Sequence, residues 1–387
     1  MAPMMAVVAV AAAGRATHAA RRRRDGRRGP HKRTAARDVS PRPARERQSN
    51  SWACSEVTQP PRRRALLRAI VFERDGARQL RAWVAHMARA LRYDELVLID
   101  HNGADEETIQ VLRDATVKGA HRWRCDGPFL FKAAMWSHVA RAYNATSDYI
   151  FPLDVDELLM TVSHGGVRRQ FSDRTELSAG TRVEWSRTTL VEALSRLDRS
   201  GRPFKSYLAS AIPVDCPGAG IAADARCPLR YASNFVQNCY SKVFARGAEW
   251  RFTDTGNHYG GTVATGPLTH SDCGEGRGGF GDDRIWKTYA SSDLAVLHVQ
   301  FVSIRGWLEH YIRGATTYNY TRRDVNCDTV GRGRHYCKVI REIRATGLDW
   351  NRLVLAYHRF GCPRPIRHHA RLRVPLDVVQ QKACVGA

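Results

Sequence analysis

None of the ten cysteines in this 387-residue chain forms a C-x-x-C pair, which excludes zinc ribbons and thioredoxin-like chemistry. The apolar opening, residues 1–13, is too short to span a bilayer. Its positive charge follows the apolar run instead of preceding it, the reverse of a secretory signal. Carboxylates are scarce: 38 Asp and Glu stand against 61 Lys and Arg, a formal net charge of +23. The deficit is uneven. Residues 1–64 hold sixteen Lys/Arg and four Asp/Glu, so a basic tail explains about half the excess and nucleic acid need not be invoked. What remains favours polyanionic ligands such as nucleotide diphosphates, or an acidic membrane surface. The glycine-rich stretch of residues 271–283 has neither Walker nor Rossmann spacing.

From Arg15 to Arg64 the chain is rich in Pro, Arg, Ser and Ala without period. Residues 1–61 therefore read as a disordered basic low-complexity tail or targeting segment: a transit peptide, a solvated arm, or a start lacking its leader. Residues 62–320 read as one folded domain and residues 321–387 as a basic C-terminal extension. An even number of scattered cysteines permits disulfides in an oxidising lumen. The sequons Asn144-Ala145-Thr146 and Asn319-Tyr320-Thr321 suit the same compartment, so the Golgi or another secretory-pathway lumen is the expected location.

Within the domain, strand and helix alternate. Residues 65–72 form an apolar run of strand length, Asp75-Gly76 makes a turn, and Leu80, Trp83, Val84, Met87 and Leu91 recur at helical spacing. A second strand over 95–100 ends in Asp100, and helices follow from Glu106 and over 131–143. This alternation predicts an α/β domain, a mostly parallel sheet flanked by helices, with ligands at the carboxyl ends of the strands. Further on, residues 160–187 read as a long loop, 189–197 as a helix, 207–214, 240–246 and 294–301 as strands, and 304–313 and 335–346 as helices. Residues 217–220, Pro-Gly-Ala-Gly, read as a loop able to line an acceptor site.

The chain is organised around residues 149–159. An apolar strand, Tyr149-Ile150-Phe151-Pro152-Leu153, runs into Asp154-Val155-Asp156-Glu157. On an extended segment Asp154 and Asp156 leave the same face. A hard cation such as Mn²⁺ or Mg²⁺ is commonly held by one or two carboxylates while phosphates and water complete its shell.

Leu80-x-x-Trp83, the Asp100-x-Asn102-x-x-Asp105-x-x-Thr108 turn and Phe151-Pro152-Leu153-Asp154-Val155-Asp156-Glu157-Leu158 together resemble glycosyltransferase family 92 and its relatives in the glycosyltransferase 2-like group. The resemblance covers residues 66–318. It implies the GT-A fold, a Rossmann-like domain that takes a nucleotide-sugar, a UDP-sugar, through a cation held by Asp-x-Asp, with a glycan or glycoprotein as acceptor and no nucleic acid. The chain departs from the family after the first strand, where Glu73-Arg74-Asp75-Gly76 replaces Asn-Glu or Asp-Glu, and at His86-Met87, where Tyr-His is usual.

By that resemblance Asp154 and Asp156 hold the metal, Asp154 also meets the donor, Asp100 lies near the nucleoside, and Asp105 orders its turn. Lys242 and Arg246 become candidates for the diphosphate. His258 and His298 become candidates to complete the metal shell. A base is sought among Glu157, Asp272, Asp282 and Asp283. Three rivals stand beside this reading: a phosphoester hydrolase, which wants more His and Asp at several strand ends; a basic RNA-binding protein; and a catalytically inactive GT-A pseudoenzyme.

Overall fold

Three apolar runs build the middle of the sheet. In this computed structural model the described residues are 51–58, 63–163, 182–197, 203–211, 216, 234–257, 260–261, 290–300, 304–320, 325–330, 334–347, 349–362 and 371–373. Strands β1 (Ala53–Glu56), β2 (Ala65–Glu73), β3 (Leu96–Asp100), β4 (His121–Asp126), β5 (Ser147–Asp154), β6 (Glu157–Ser163), β7 (Arg182–Glu184), β8 (Phe204–Ala211), β9 (Asn234–Arg246), β12 (Ala290–His298) and β13 (Arg371–Arg373) share one sheet. Its order is β1-β4-β3-β2-β5-β9-β8-β12-β6-β7, with β13 on β9. A small ribbon pairs β10 (Phe252–Thr253) with β11 (Gly260–Gly261).

The block β4-β3-β2-β5 is parallel throughout, as is the β8–β12 pair. Antiparallel strands extend the sheet on either side of that block. The expected α/β architecture is therefore present. Because β2, β3 and β5 are covered on both faces, they are apolar at most positions. Alternate residues divide between two cores: Leu67, Ala69, Val71, Phe151 and Leu153 face one, Ile70, Phe72, Val97, Ile99 and Ile150 the other.

Helices α1 (Ala77–Met87), α2 (Glu106–Val117) and α4 (Arg187–Ser195) cover the first face with Leu80, Trp83, Val111, Leu112 and Leu190. Helix α3 (Lys132–Arg141) covers the second with Met135, Trp136 and Val139. Arg187 closes α4 onto the sheet with a two-point ion pair to fully buried Glu95, at 2.5 and 3.1 Å. Helices α5 (Ile304–Thr317), α6 (Arg334–Ala345) and α7 (Trp350–Phe360) complete the described fold.

Several boundaries differ from expectation. Residues 53–56, assigned to the tail, pair with β4, and Cys54 is disulfide-bonded to Cys125. Residues 160–163 and 182–184, assigned to a loop, belong to strands β6 and β7. The C-terminal extension packs against α5: the Tyr336 ring lies on Gly314, Trp307 meets Tyr357 edge-on at 5.5 Å, and Cys362 is bonded to Cys216. Cys327–Cys337 is a third disulfide. No helix among the described residues is long and apolar enough to cross a membrane.

His86 is buried; its Nε2 lies 2.8 Å from the Leu159 carbonyl and its ring stacks on Trp185. Burial pushes its pKa down to about 4. Below the ordinary value of 6.5 the unfolded chain takes up a proton that the folded chain refuses, so this contribution to stability is present above pH 6.5 and lost as pH falls toward 4. Chemical denaturation at pH 7 and pH 5 should show a loss of about 2 kcal/mol from this group. In His86→Gln, which keeps a donor for Leu159, that loss should vanish; an unchanged pH slope would remove His86 from the account.

Candidate functional site

The carboxyl ends of β2, β3 and β5 form one rim. Strand β5 stops at Asp154, a two-residue turn follows, and β6 begins at Glu157. The turn is closed from below: the Asp154 amide donates to Glu157 Oε2 at 2.9 Å. It is closed from the side as well, since the Val299 amide donates to the Asp156 carbonyl at 2.8 Å. Asp154 and Asp156 are thus presented by backbone hydrogen bonds, and Glu157 is fully buried.

The two aspartates do not share a partner. Asp154 is ion-paired through Oδ1 to Lys132 and through Oδ2 to Lys242, the latter at 3.3 Å. Asp156 Oδ2 instead meets His298 Nε2 at 3.3 Å. Lys242 also ion-pairs with Glu157 Oε1 at 2.5 Å and donates to the Gly256 carbonyl, so all three of its N–H donors are engaged.

Burial alone would raise Asp154, yet Lys132 and Lys242 outweigh it and hold the carboxyl well below the ordinary range. Asp156 is likewise lowered, burial being overcome by His298; His298 is raised, its burial overcome by Asp156. Burial opposes the Lys242 ammonium too, but Glu157 and Asp154 hold it above the usual lysine range. The same burial pushes Glu157 up against the pull of Lys242. These directions oppose one another across a single 2.5 Å contact, and the charged lysine prevails because it answers two carboxylates.

Asp156, Glu157 and His298 offer ligand atoms within 4.8 Å of one another. One carboxylate oxygen and one imidazole nitrogen, from Asp156 and His298, fit Mn²⁺, or less closely Mg²⁺, with water and phosphate completing the shell. Glu157 can add a third oxygen, one already engaged with Lys242 or with the Asp154 amide.

Asp100 is buried, ion-paired to Arg122 at 2.9 Å, and accepts from the Gly103 amide at 3.0 Å. Asp105 caps α2, accepting from the Thr108 amide at 2.8 Å and from the Thr108 hydroxyl. Asp75, with φ of 54°, accepts from the Ala104 and Asp105 amides and clamps the two rim turns together. Lys242 reaches the site, whereas Arg246 does not belong to it: Arg246 is opposite Tyr149, at the amino end of β5, about 16 Å of strand from Asp154. Glu157 is tied to Lys242 and the Asp154 amide, an arrangement suited to holding the turn and unsuited to a solvent-facing base. Asp272, Asp282, Asp283 and His258 lie outside the described residues, as do residues 217–220.

Four residues near the rim were missed. Lys132 opens α3, and its ammonium lies 4.4 Å from the centre of the Trp136 ring, with Phe129 and Phe72 at 5.6 and 5.7 Å. A lysine at the positive end of a helix is disfavoured by the dipole, and this was the signal available. His310 Nε2 is 2.8 Å from Gln300 and is pushed down to about 4 by burial. Tyr336, stacked on Tyr318 at 5.7 Å, is raised by burial and by Asp156. Glu73, at the carboxyl end of β2, is raised by burial to about 8.

No family model matches the chain, and no curated protein does. Among solved structures it is similar to "Crystal structure of S. aureus TarS 1-349 in complex with UDP", at 10% identity over 73% of this chain and 72% of that chain, with a TM-score of 0.29. The same protein in complex with UDP-GlcNAc gives 11% identity, 76% and 80% coverage, and a TM-score of 0.27. A likeness this loose carries no weight for this chain.

The Lys242 cluster yields a stability prediction. Lys242→Met leaves fully buried Glu157 without its cation, and should cost about 3–5 kcal/mol in chemical denaturation. A loss below about 1 kcal/mol would mean that the cluster does not hold the turn.

Proposed function

We propose that the chain is a metal-dependent glycosyltransferase that moves a sugar from a nucleotide-sugar, a UDP-sugar, to a hydroxyl of a glycan or glycoprotein. The observation that carries this reading is the Asp156–His298 pair at the carboxyl rim of the parallel strands, 3.3 Å apart and next to two lysines. Crevices at that end of an open α/β sheet are where such folds bind ligands. An oxygen and nitrogen donor pair flanked by ammonium groups suits a site for a cation together with a diphosphate.

When bound, a divalent ion held by Asp156 and His298 offsets the charge that develops on the leaving diphosphate. The chain's own residues do the rest. Lys242 and Glu157 keep the turn in place, Lys132 adds positive charge near the phosphates, and Asp100 with Arg122 shapes the neighbouring turn. The acceptor oxygen attacks the anomeric carbon, the bond from that carbon to the diphosphate oxygen breaks with its electron pair on the phosphate, and the acceptor proton passes to a carboxylate. With Glu157 committed, Asp272, Asp282 and Asp283 are the base candidates.

The three disulfides among the described residues suit an oxidising lumen such as the Golgi. Of the two sequons, Asn319 is exposed, whereas the Asn144 side-chain amide donates to the Trp250 carbonyl at 3.1 Å. The observations favour an enzyme over an RNA-binding protein because the rim carries paired carboxylates.

The test is hydrolysis of a panel of UDP-sugars by the full chain, with Mn²⁺ and with chelator. Turnover should need the metal, and Asp156→Asn should lower it by about a hundredfold or more without changing the melting temperature. Undiminished turnover in that variant would remove Asp156 as a ligand. Saturable RNA binding with no turnover of any donor would favour the RNA-binding protein.

A further inference from the structure

The two lysines that hold Asp154 are not equivalent. Both are buried, Lys242 at 2% and Lys132 at 6% exposure, but Lys242 has spent its three donors on Asp154, Glu157 and Gly256. Lys132 makes one hydrogen bond among the described residues, to Asp154 Oδ1. Around it lie the ring faces of Trp136, Phe129 and Phe72, and Glu73 is close enough to feel its charge. Aromatic faces steady an ammonium without using its N–H groups, so Lys132 keeps two donors that a ligand's phosphate oxygens can take. Its place at the amino end of the ten-residue helix α3 adds further positive potential.

Asp154 is the mirror of this. It is the more exposed partner, with 26% of its side chain accessible, and both of its oxygens answer lysines. Asp156 beside it answers His298. Two ammonium groups and an imidazole thus face two neighbouring aspartates before any ligand arrives. A free divalent ion entering this site meets one committed carboxylate and two ammonium groups, a poor start for binding. A diphosphate entering alone meets Asp154. Each ligand lacks something the other supplies.

Building on the proposed nucleotide-sugar reading, we infer that Lys132 is a positioning residue that exchanges partners. With the site empty it neutralises Asp154; when a divalent cation and a diphosphate enter together, the ammonium turns to the phosphate oxygens and releases Asp154 toward the cation. Lys242, whose donors are all committed, stays in place as the fixed half of the pair. The exchange makes cation and diphosphate binding mutually dependent, since either ligand alone leaves one charge of the Lys132–Asp154 pair unanswered. By linkage each raises the affinity for the other by the same factor.

The experiment measures Mn²⁺ binding by electron paramagnetic resonance and UDP binding by calorimetry on the full chain, each with and without the other ligand. Wild type should bind Mn²⁺ alone weakly and at least about tenfold tighter with UDP present. Lys132→Met, whose side chain retains the packing on Trp136, should bind Mn²⁺ alone about tenfold tighter than wild type and lose most of the coupling. Lys132→Arg should restore the wild-type pattern. Asp154→Asn gives an independent reading: with its carboxylate partner gone, Lys132 should take UDP without metal about tenfold tighter than wild type does.

Mn²⁺ affinity and coupling within about twofold of wild type in Lys132→Met, with UDP affinity unchanged in Asp154→Asn, overturn the exchange while leaving the metal site standing. No Mn²⁺ binding in any protein, with or without UDP, overturns both the exchange and the proposed metal-dependent reading.

Discussion

A buried ammonium answering two carboxylates and a backbone carbonyl is the constraint on which the rim depends. Lys242 leaves β9, meets Asp154 at the end of β5 and Glu157 at the start of β6, and touches Gly256 in the segment after β10. Four separate pieces of chain are thereby fixed around one nitrogen. Buried ion pairs seldom add much net stability over well-packed apolar groups. This one specifies geometry: it decides where the two-residue turn sits, and hence where Asp156 meets His298.

The surrounding sheet makes such a cluster affordable. Pro152 lies near the end of β5, beyond Ile150, the last residue of that strand in register with β9. Where that ladder stops, the Asn257 side-chain amide takes over, donating to the Pro152 carbonyl at 2.6 Å and to the Val243 carbonyl at 2.9 Å. The two strands stay joined while splaying apart, and Lys242 occupies the region the splay opens. Proline, which cannot donate to a ladder, is tolerated here because a side chain performs the bridging.

The parts legible in the amino-acid sequence were those with a single strong periodicity. Strands β2, β3 and β5 are near-continuous apolar runs, and α1 repeats its large residues at helical spacing, so their order and the carboxyl rim followed. Strand β4, His-Arg-Trp-Arg-Cys-Asp, escaped because it alternates buried and more exposed positions with charges between them. Strand β6 escaped because residues from 160 onward show no clean period and read as a loop, although Glu157 turns inward and opens the strand. Lys132 was invisible as a partner of Asp154 because 22 residues and a sheet crossing separate them; no local pattern reports a contact of that kind. Asp105 was readable in one respect, since an aspartate three residues before a threonine in an acidic first turn has the form of a helix cap.

Strand β1 carries a consequence of its own. It lies antiparallel along β4 and is bonded to it by Cys54–Cys125, so it shields what would be the raw margin of the sheet. A fragment begun at residue 62 would shed that shield. It would bare a row of unsatisfied amides and carbonyls together with a lone thiol on Cys125, two separate routes to clumping, one by strand addition and one by intermolecular cross-linking. Recombinant fragments of this protein should accordingly start upstream of Ser51.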